Sequence, residues 1–133
     1  MFEARFKCND VDQSDFVMGL GITDTSPLDT TDGIFFISAD GDAGLDFLVE
    51  KDNSATTTED VATMEDDTFI TVAWYVDPNA SLVYYSINHA EPVGVANTNV
   101  PDDEELTVSF GIQNGEAAAQ TLTIDYITAM VER

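Results

Sequence analysis

Asp46 and Glu50, in Gly44-Leu45-Asp46-Phe47-Leu48-Val49-Glu50, are the carboxylates whose type and spacing first suggest acid–base chemistry. A retaining glycosidase holds its two carboxyl groups about 5–5.5 Å apart across the bond it breaks. Positions four apart on an extended strand are separated by roughly 13 Å, too far to flank one bond. Other acids gather in turns. Asp40-Gly41-Asp42 with Asp29 or Asp32, and the run Asp102-Asp103-Glu104-Glu105, offer the hard oxygen ligands that calcium takes. Gly41 equally marks a hairpin turn, and clusters arise by chance among 26 acidic residues. The turn is the expected role, and no metal, cofactor or catalytic residue is assigned.

The single histidine, His89, titrates near neutrality in principle, but it lies between Asn88 and Pro92 with no second histidine or Ser-His pair. An exposed turn residue is expected. Cys8, the only cysteine, excludes an intramolecular disulfide and a thiolate zinc site, and its place in an alternating segment predicts a buried core thiol. Trp74 and Tyr75 have opposite parity, as do Tyr84 and Tyr85, so one of each pair faces outward or toward a concave sheet face. A stripe of Trp74, Tyr85 and Tyr126 would suit a glycan, but cores and subunit interfaces use the same residues, and packing is the favoured role. Arg5, Lys7, Lys51 and Arg133 are too few to neutralise a phosphate backbone, so nucleic acid is excluded as a partner.

The elements that position these residues are short. Phe2, Ala4, Phe6 and Cys8 share one face of a first strand, and Phe16, Met18, Leu20 and Ile22 repeat the pattern, with Gly19 and Gly21 leaving the other face bare. Gly33 to Ser38 and Leu45 to Lys51 flank the Asp40-Gly41 turn. A Thr- and Asp-rich loop is expected from Asp52 to Asp67. Strands follow at Thr68 to Asp77, Ser81 to Asn88, Pro92 to Val95, Leu106 to Gln113 and Thr121 to Val131, with a turn-rich segment from Ala96 to Glu105. The Ala117-Ala118-Ala119 stretch is too short for more than a helical turn. Nothing holds a 3.6-residue period. The fold class is all-β, an antiparallel sandwich of roughly nine or ten strands in a single domain over residues 1–133.

Charge then falls into place. Twenty-six acidic residues against four basic give a formal charge of −22, with no long acidic run. In a sandwich each sheet has one wet face, and an unpaired buried carboxylate costs several kcal/mol, so the acids belong on outer faces and loops. Such a surface repels nucleic acid and anionic lipid and suits a salty medium, marine or halophilic, or a cationic partner. Met1 to Asp10 shows no secretory leader, and no apolar run approaches the length of a membrane span, so no membrane partner is expected.

With the strands laid out, the chain resembles the concanavalin A-like jelly rolls, in their laminin G-like branch. Phe69-Ile70-Thr71-Val72-Ala73-Trp74-Tyr75-Val76-Asp77, Leu82-Val83-Tyr84-Tyr85-Ser86-Ile87-Asn88 and Val93-Gly94-Val95 are similar to that family's long strand, hairpin partner and following short strand. Phe110-Gly111-Ile112 and Leu122-Thr123-Ile124-Asp125-Tyr126-Ile127 are similar to its closing pair. The hydrolase branch carries Glu-x-Asp-x-x-Glu on one strand, and Gly44 stands here where its nucleophile would be. The turn Asn88-His89-Ala90-Glu91-Pro92 replaces the family's frequent Asp-Gly. A further strand usually precedes the one matched by Phe2 to Cys8; its lack predicts an open edge there for a neighbouring subunit to cover.

Short acidic members of this branch include capsid decoration (cement) proteins of tailed bacteriophages. The matching stretches are Phe2-Glu3-Ala4-Arg5-Phe6, Phe16-Val17-Met18-Gly19-Leu20, Pro101-Asp102-Asp103-Glu104-Glu105-Leu106, and Phe110 to Ala118. This resemblance implies a non-enzymatic virion protein on the outer surface of the capsid, partnered by the major capsid protein and by copies of itself as a dimer or trimer. The alternative is a carbohydrate-binding module or virion adhesin, with glycan bound around Trp74, Tyr85, Asn88 and Asn114. A surface adapted only to high salt is the third reading.

Overall fold

The first strand shows the rule the whole chain follows. Phe2, Ala4, Phe6 and Cys8 are fully buried, while Glu3, Arg5 and Lys7 between them reach solvent. That period of two is what a strand with one dry face requires. The structure, a computed structural model, describes residues 1–23 and 26–131. The described residues form ten strands: β1 (Phe2–Cys8), β2 (Ser14–Gly21), β3 (Gly33–Ser38), β4 (Gly44–Lys51), β5 (Ser54–Thr63), β6 (Ile70–Asp77), β7 (Leu82–Ile87), β8 (Val93–Ala96), β9 (Thr107–Asn114) and β10 (Leu122–Ala129). A short 3-10 turn, Pro27–Asp29, lies between β2 and β3. Among the described residues no helix is long and apolar enough to cross a membrane.

Two five-stranded antiparallel sheets result, ordered β10-β1-β6-β7-β8 and β5-β4-β3-β2-β9. They stack as a sandwich, an arrangement compatible with a jelly roll. Ring contacts across the gap fix which strands oppose: Phe6 of β1 meets Phe16 of β2 edge-on at 5.4 Å, and Tyr85 of β7 meets Phe47 of β4 at 5.0 Å. β10 and β9 therefore flank one side of the sandwich, and β8 and β5 the other.

The second sheet also has an apolar outer face. Gly19, Gly21 and Gly33 sit under the Phe35 ring, where a Cβ on any of them would overlap it. The bare strip foreseen beside Gly19 and Gly21 is thus the bed for Phe35, which is 1 % exposed.

Two expectations are corrected. The stretch from Asp52 to Asp67 is not a loop throughout: β5 fills most of it and pairs along β4. A two-residue turn, Asp52 and Asn53 with φ of 52° and 59°, makes the hairpin, the geometry whose twist matches that of strands. Nor is β1 an open edge. It lies inside its sheet, paired to β6 on one side and to β10 on the other. The last strand of the chain covers the edge that a preceding strand was expected to cover.

Candidate functional site

The carboxylates close loops rather than converge on a cleft. Asp66 Oδ1 accepts the Val11 N–H at 2.9 Å, Asp15 Oδ1 that of Asp40 at 2.7 Å, and Asp42 Oδ1 that of Gly44 at 2.8 Å. Asp46 Oδ1 accepts from Asp60 at 2.8 Å, and Asp77 Oδ1 from both Asn79 and Ala80. Short aspartate side chains reach backbone N–H groups in turns, which explains why loops of this chain are rich in them. Asp40-Gly41-Asp42 is such a turn, with Gly41 at φ +87°. Asp29 lies in the 3-10 turn, and buried Asp32 accepts from Thr31 Oγ1 at 2.8 Å and the Asp52 N–H at 2.9 Å. Among the described residues no three His, Cys, Asp or Glu side chains are grouped as metal ligands.

Asp46 and Glu50 project from the outer face of β4, opposite the fully buried Leu45, Phe47 and Val49, as their parity required. Partial burial, reinforced by the charge of Asp32, pushes the Glu50 carboxyl above its ordinary range. Asp102 and Asp103 bind Lys51, the latter at 3.0 Å. Hydrogen bonds from Lys51 hold the Asp102 carboxyl below the usual range, and those to Asp102 and Asp103 raise the ammonium of Lys51. Arg5 pairs with Asp125 at 2.5 Å and Lys7 with Asp67 at 2.9 Å, so each described lysine and arginine side chain is held by acid. Arg133 lies outside the described residues.

His89 is exposed at φ +60° in the turn after β7, and Cys8 is a buried thiol whose Sγ lies 3.4 Å from Asp10 O and from Ser14 Oγ. The aromatic stripe does not assemble. Register places Trp74 beside Phe2 on one hand and Tyr85 on the other, and Phe2 faces the core, so all three do. Trp74 stacks on Phe2 at 5.9 Å. Tyr126 pairs with Arg5 on the opposite, wet face and donates to Glu3 Oε1 at 2.8 Å, a bond that raises its hydroxyl pKa. Asn88 Oδ1 is occupied by the Thr71 N–H and Asn114 Oδ1 by that of Gln120 in the other sheet.

The outward members of the aromatic pairs are Tyr75 and Tyr84, stacked at 5.0 Å and 17°. They border a hollow of about 370 Å³ with Glu3, Ser86, His89 and Glu91. On the outer face of the second sheet, a hollow of about 340 Å³ runs over Val17, Ile37 and Leu48 between Asp29, Glu50 and Gln113. A third, of about 900 Å³, opens at one end of the sandwich among Leu20, Trp74, Leu106 and Met130. Sequence parity left open which tyrosines face outward; the Phe2 register decides it. No family model matches the chain, and no curated protein matches it either.

Proposed function

We propose that this chain is a non-enzymatic virion structural protein of jelly-roll topology, a decoration (cement) protein seated on the outer surface of a tailed-phage capsid. The observation that carries the reading is the use made of the carboxylates: Asp15, Asp42, Asp46 and Asp66 are spent on backbone N–H groups that close loops, and Asp46 and Glu50 stand four residues apart on the outer face of β4. A sandwich stitched in this way is a stiff plate, and stiffness is what a shell loaded by packaged DNA draws from an external clamp. The sequence resemblance over Phe2 to Phe6, Phe16 to Leu20, Pro101 to Leu106 and Phe110 to Ala118 points the same way.

The test is co-sedimentation with DNA-free capsid shells built from the major capsid protein encoded in the same genome. Saturable binding at a fixed ratio to capsomers, with a higher shell disassembly temperature, is the expected result. Shells that neither bind the protein nor gain stability would overturn the reading.

A second reading is favoured by one observation. The Tyr75–Tyr84 stack beside Glu3, Ser86 and Glu91 combines aromatic surface with polar neighbours, the pairing a glycan-binding module or adhesin uses. Oligosaccharide binding that is lost in Tyr84→Ala, without capsid binding, would install it instead.

A further inference from the structure

Strand β9 is buried the wrong way round. Its Val108, Phe110 and Ile112 pair with Leu20, Met18 and Phe16 and so point between the sheets, toward the core. Yet Phe110 is 48 % exposed and Val108 38 %. Ser109, on the outer face, is buried, because the Pro27–Asp29 turn lies over that side. The inward side chains stay wet because β9 and β10 are edges of different sheets on the same side of the sandwich, and among the described residues no strand pairing joins them. At one end the gap is tied shut by Gln120 N–H on Asn114 Oδ1. At the other it widens into the apolar hollow lined by Leu20, Leu106 and Met130.

The four edges differ in how they are protected. β8 is only four residues long. β5 carries Glu59 and Asp60 and a break in register. β10 carries Asp125, held by Arg5. β9 runs eight residues, Thr-Val-Ser-Phe-Gly-Ile-Gln-Asn, with no charge and no proline. Long, neutral edges with alternating apolar residues pair with other strands unless blocked. In a chain of formal charge −22, two copies approach most easily where neither carries charge, and β9 is the longest uncharged edge among the described residues, twice the length of β8. Its neutrality also gives a basic partner nothing to pair with. The occupant best matched to β9 is therefore β9 of a second copy.

We infer that two copies associate by antiparallel β9–β9 pairing about a two-fold axis at Phe110. Phe110 then meets its counterpart, Val108 meets Ile112, and the inward apolar row of each copy is covered by that of the other. The β5-β4-β3-β2-β9 sheet becomes continuous across the dimer. Just beyond both ends of the paired strands lie the acids Glu104 and Glu105 of one copy and Glu116 of the other, so salt strengthens the association by screening them. The inference rests on the reading of the chain as a self-associating structural protein and gives that assembly its surface.

Sedimentation velocity of the wild-type protein tests it, alongside Phe110→Cys and, on the β8 edge, Val93→Cys. The expected result is a two-chain mass whose dissociation constant tightens about tenfold or more between 0.05 and 0.5 M NaCl. Under mild oxidation Phe110→Cys should link into a covalent dimer, since facing residues of an antiparallel pair have Cα atoms about 4.5–5.5 Å apart, within disulfide reach. Val93→Cys should not, and native Cys8 is buried. Amide exchange over Thr107–Asn114 of the unmodified protein should slow as its concentration rises, which keeps the test independent of any variant's folding. A single-chain mass at every salt, a trimer, linking through residue 93 alone, or exchange in β9 that ignores concentration overturns the inference. The capsid assay fails separately: a β9 dimer that ignores shells refutes only the proposed function, and a monomer that binds them refutes only the dimer.

Discussion

Glu50 shows how one residue records the electrostatics of a chain with so few cations. Its carboxyl sits above the ordinary range because it is partly buried and faces Asp32, which is itself buried and already committed to Thr31 and Asp52. A carboxyl that holds its proton more tightly folded than unfolded makes stability fall as pH rises from the ordinary carboxylate value to the raised one. Above that window the loss is complete. Glu50→Gln should therefore melt about 1–3 °C higher than wild type at pH 7, and the gap should close by about pH 3; parallel thermal scans check it. A wild-type advantage at pH 7 would mean that the ionised carboxylate is held by a favourable contact.

At the level of elements, much of the architecture could be read from alternation because most strands are dry on one side. β1, β4 and β6 declared themselves through Phe2-x-Ala-x-Phe, Leu45-x-Phe-x-Val and Val72-x-Trp. β5 did not, since an edge strand wet on nearly all its length carries no apolar alternation: it reads Ser-Ala-Thr-Thr-Thr-Glu-Asp-Val-Ala-Thr. The usable signal was local, Asp52-Asn53 as a tight turn followed by β-branched Thr56, Thr57 and Thr58. The pairing of β1 with β10 could not be read either, because alternation names a strand's faces and not its neighbours. The candidate site divided in the same way. Parity showed that one aromatic of each pair faces out, and only register with Phe2 selected Tyr75 and Tyr84. The β4–β5 turn supplies its own test. Asn53→Val puts a β-branched side chain at φ +59° and should destabilise the fold by about 1–2 kcal/mol in urea unfolding, whereas Asn53→Gly should be tolerated.

For the molecule as a whole, the balance is between a dense aromatic core and a self-repelling surface. Phe2, Phe6, Phe16, Phe36, Phe47, Trp74 and Tyr85 span the sandwich from one side to the other. Against them stand 26 carboxylates whose mutual repulsion reaches roughly 30 Å at 0.01 M salt and about 10 Å at 0.1 M. The midpoint of unfolding, followed by Trp74 fluorescence at sub-micromolar protein, should rise by roughly 5 °C or more between 0.01 and 0.5 M NaCl. A midpoint indifferent to salt would show that the turn-capping contacts outweigh the net charge.

The central place of β1 carries a further consequence, in the order of assembly. Its apolar face is complete by Cys8, but its two sheet neighbours are β6 and β10, and Met1 finds the Met130 carbonyl 129 positions along the chain. Closing loops of that length comes before the contacts that reward it, so the chain belongs among slow folders of high contact order. Until β10 is available to pair, Phe2, Ala4, Phe6 and Cys8 have no complete sheet to join. A nascent chain in that state exposes an aggregation-prone strand, and its dense surface charge then acts before the fold exists, keeping unfinished copies apart.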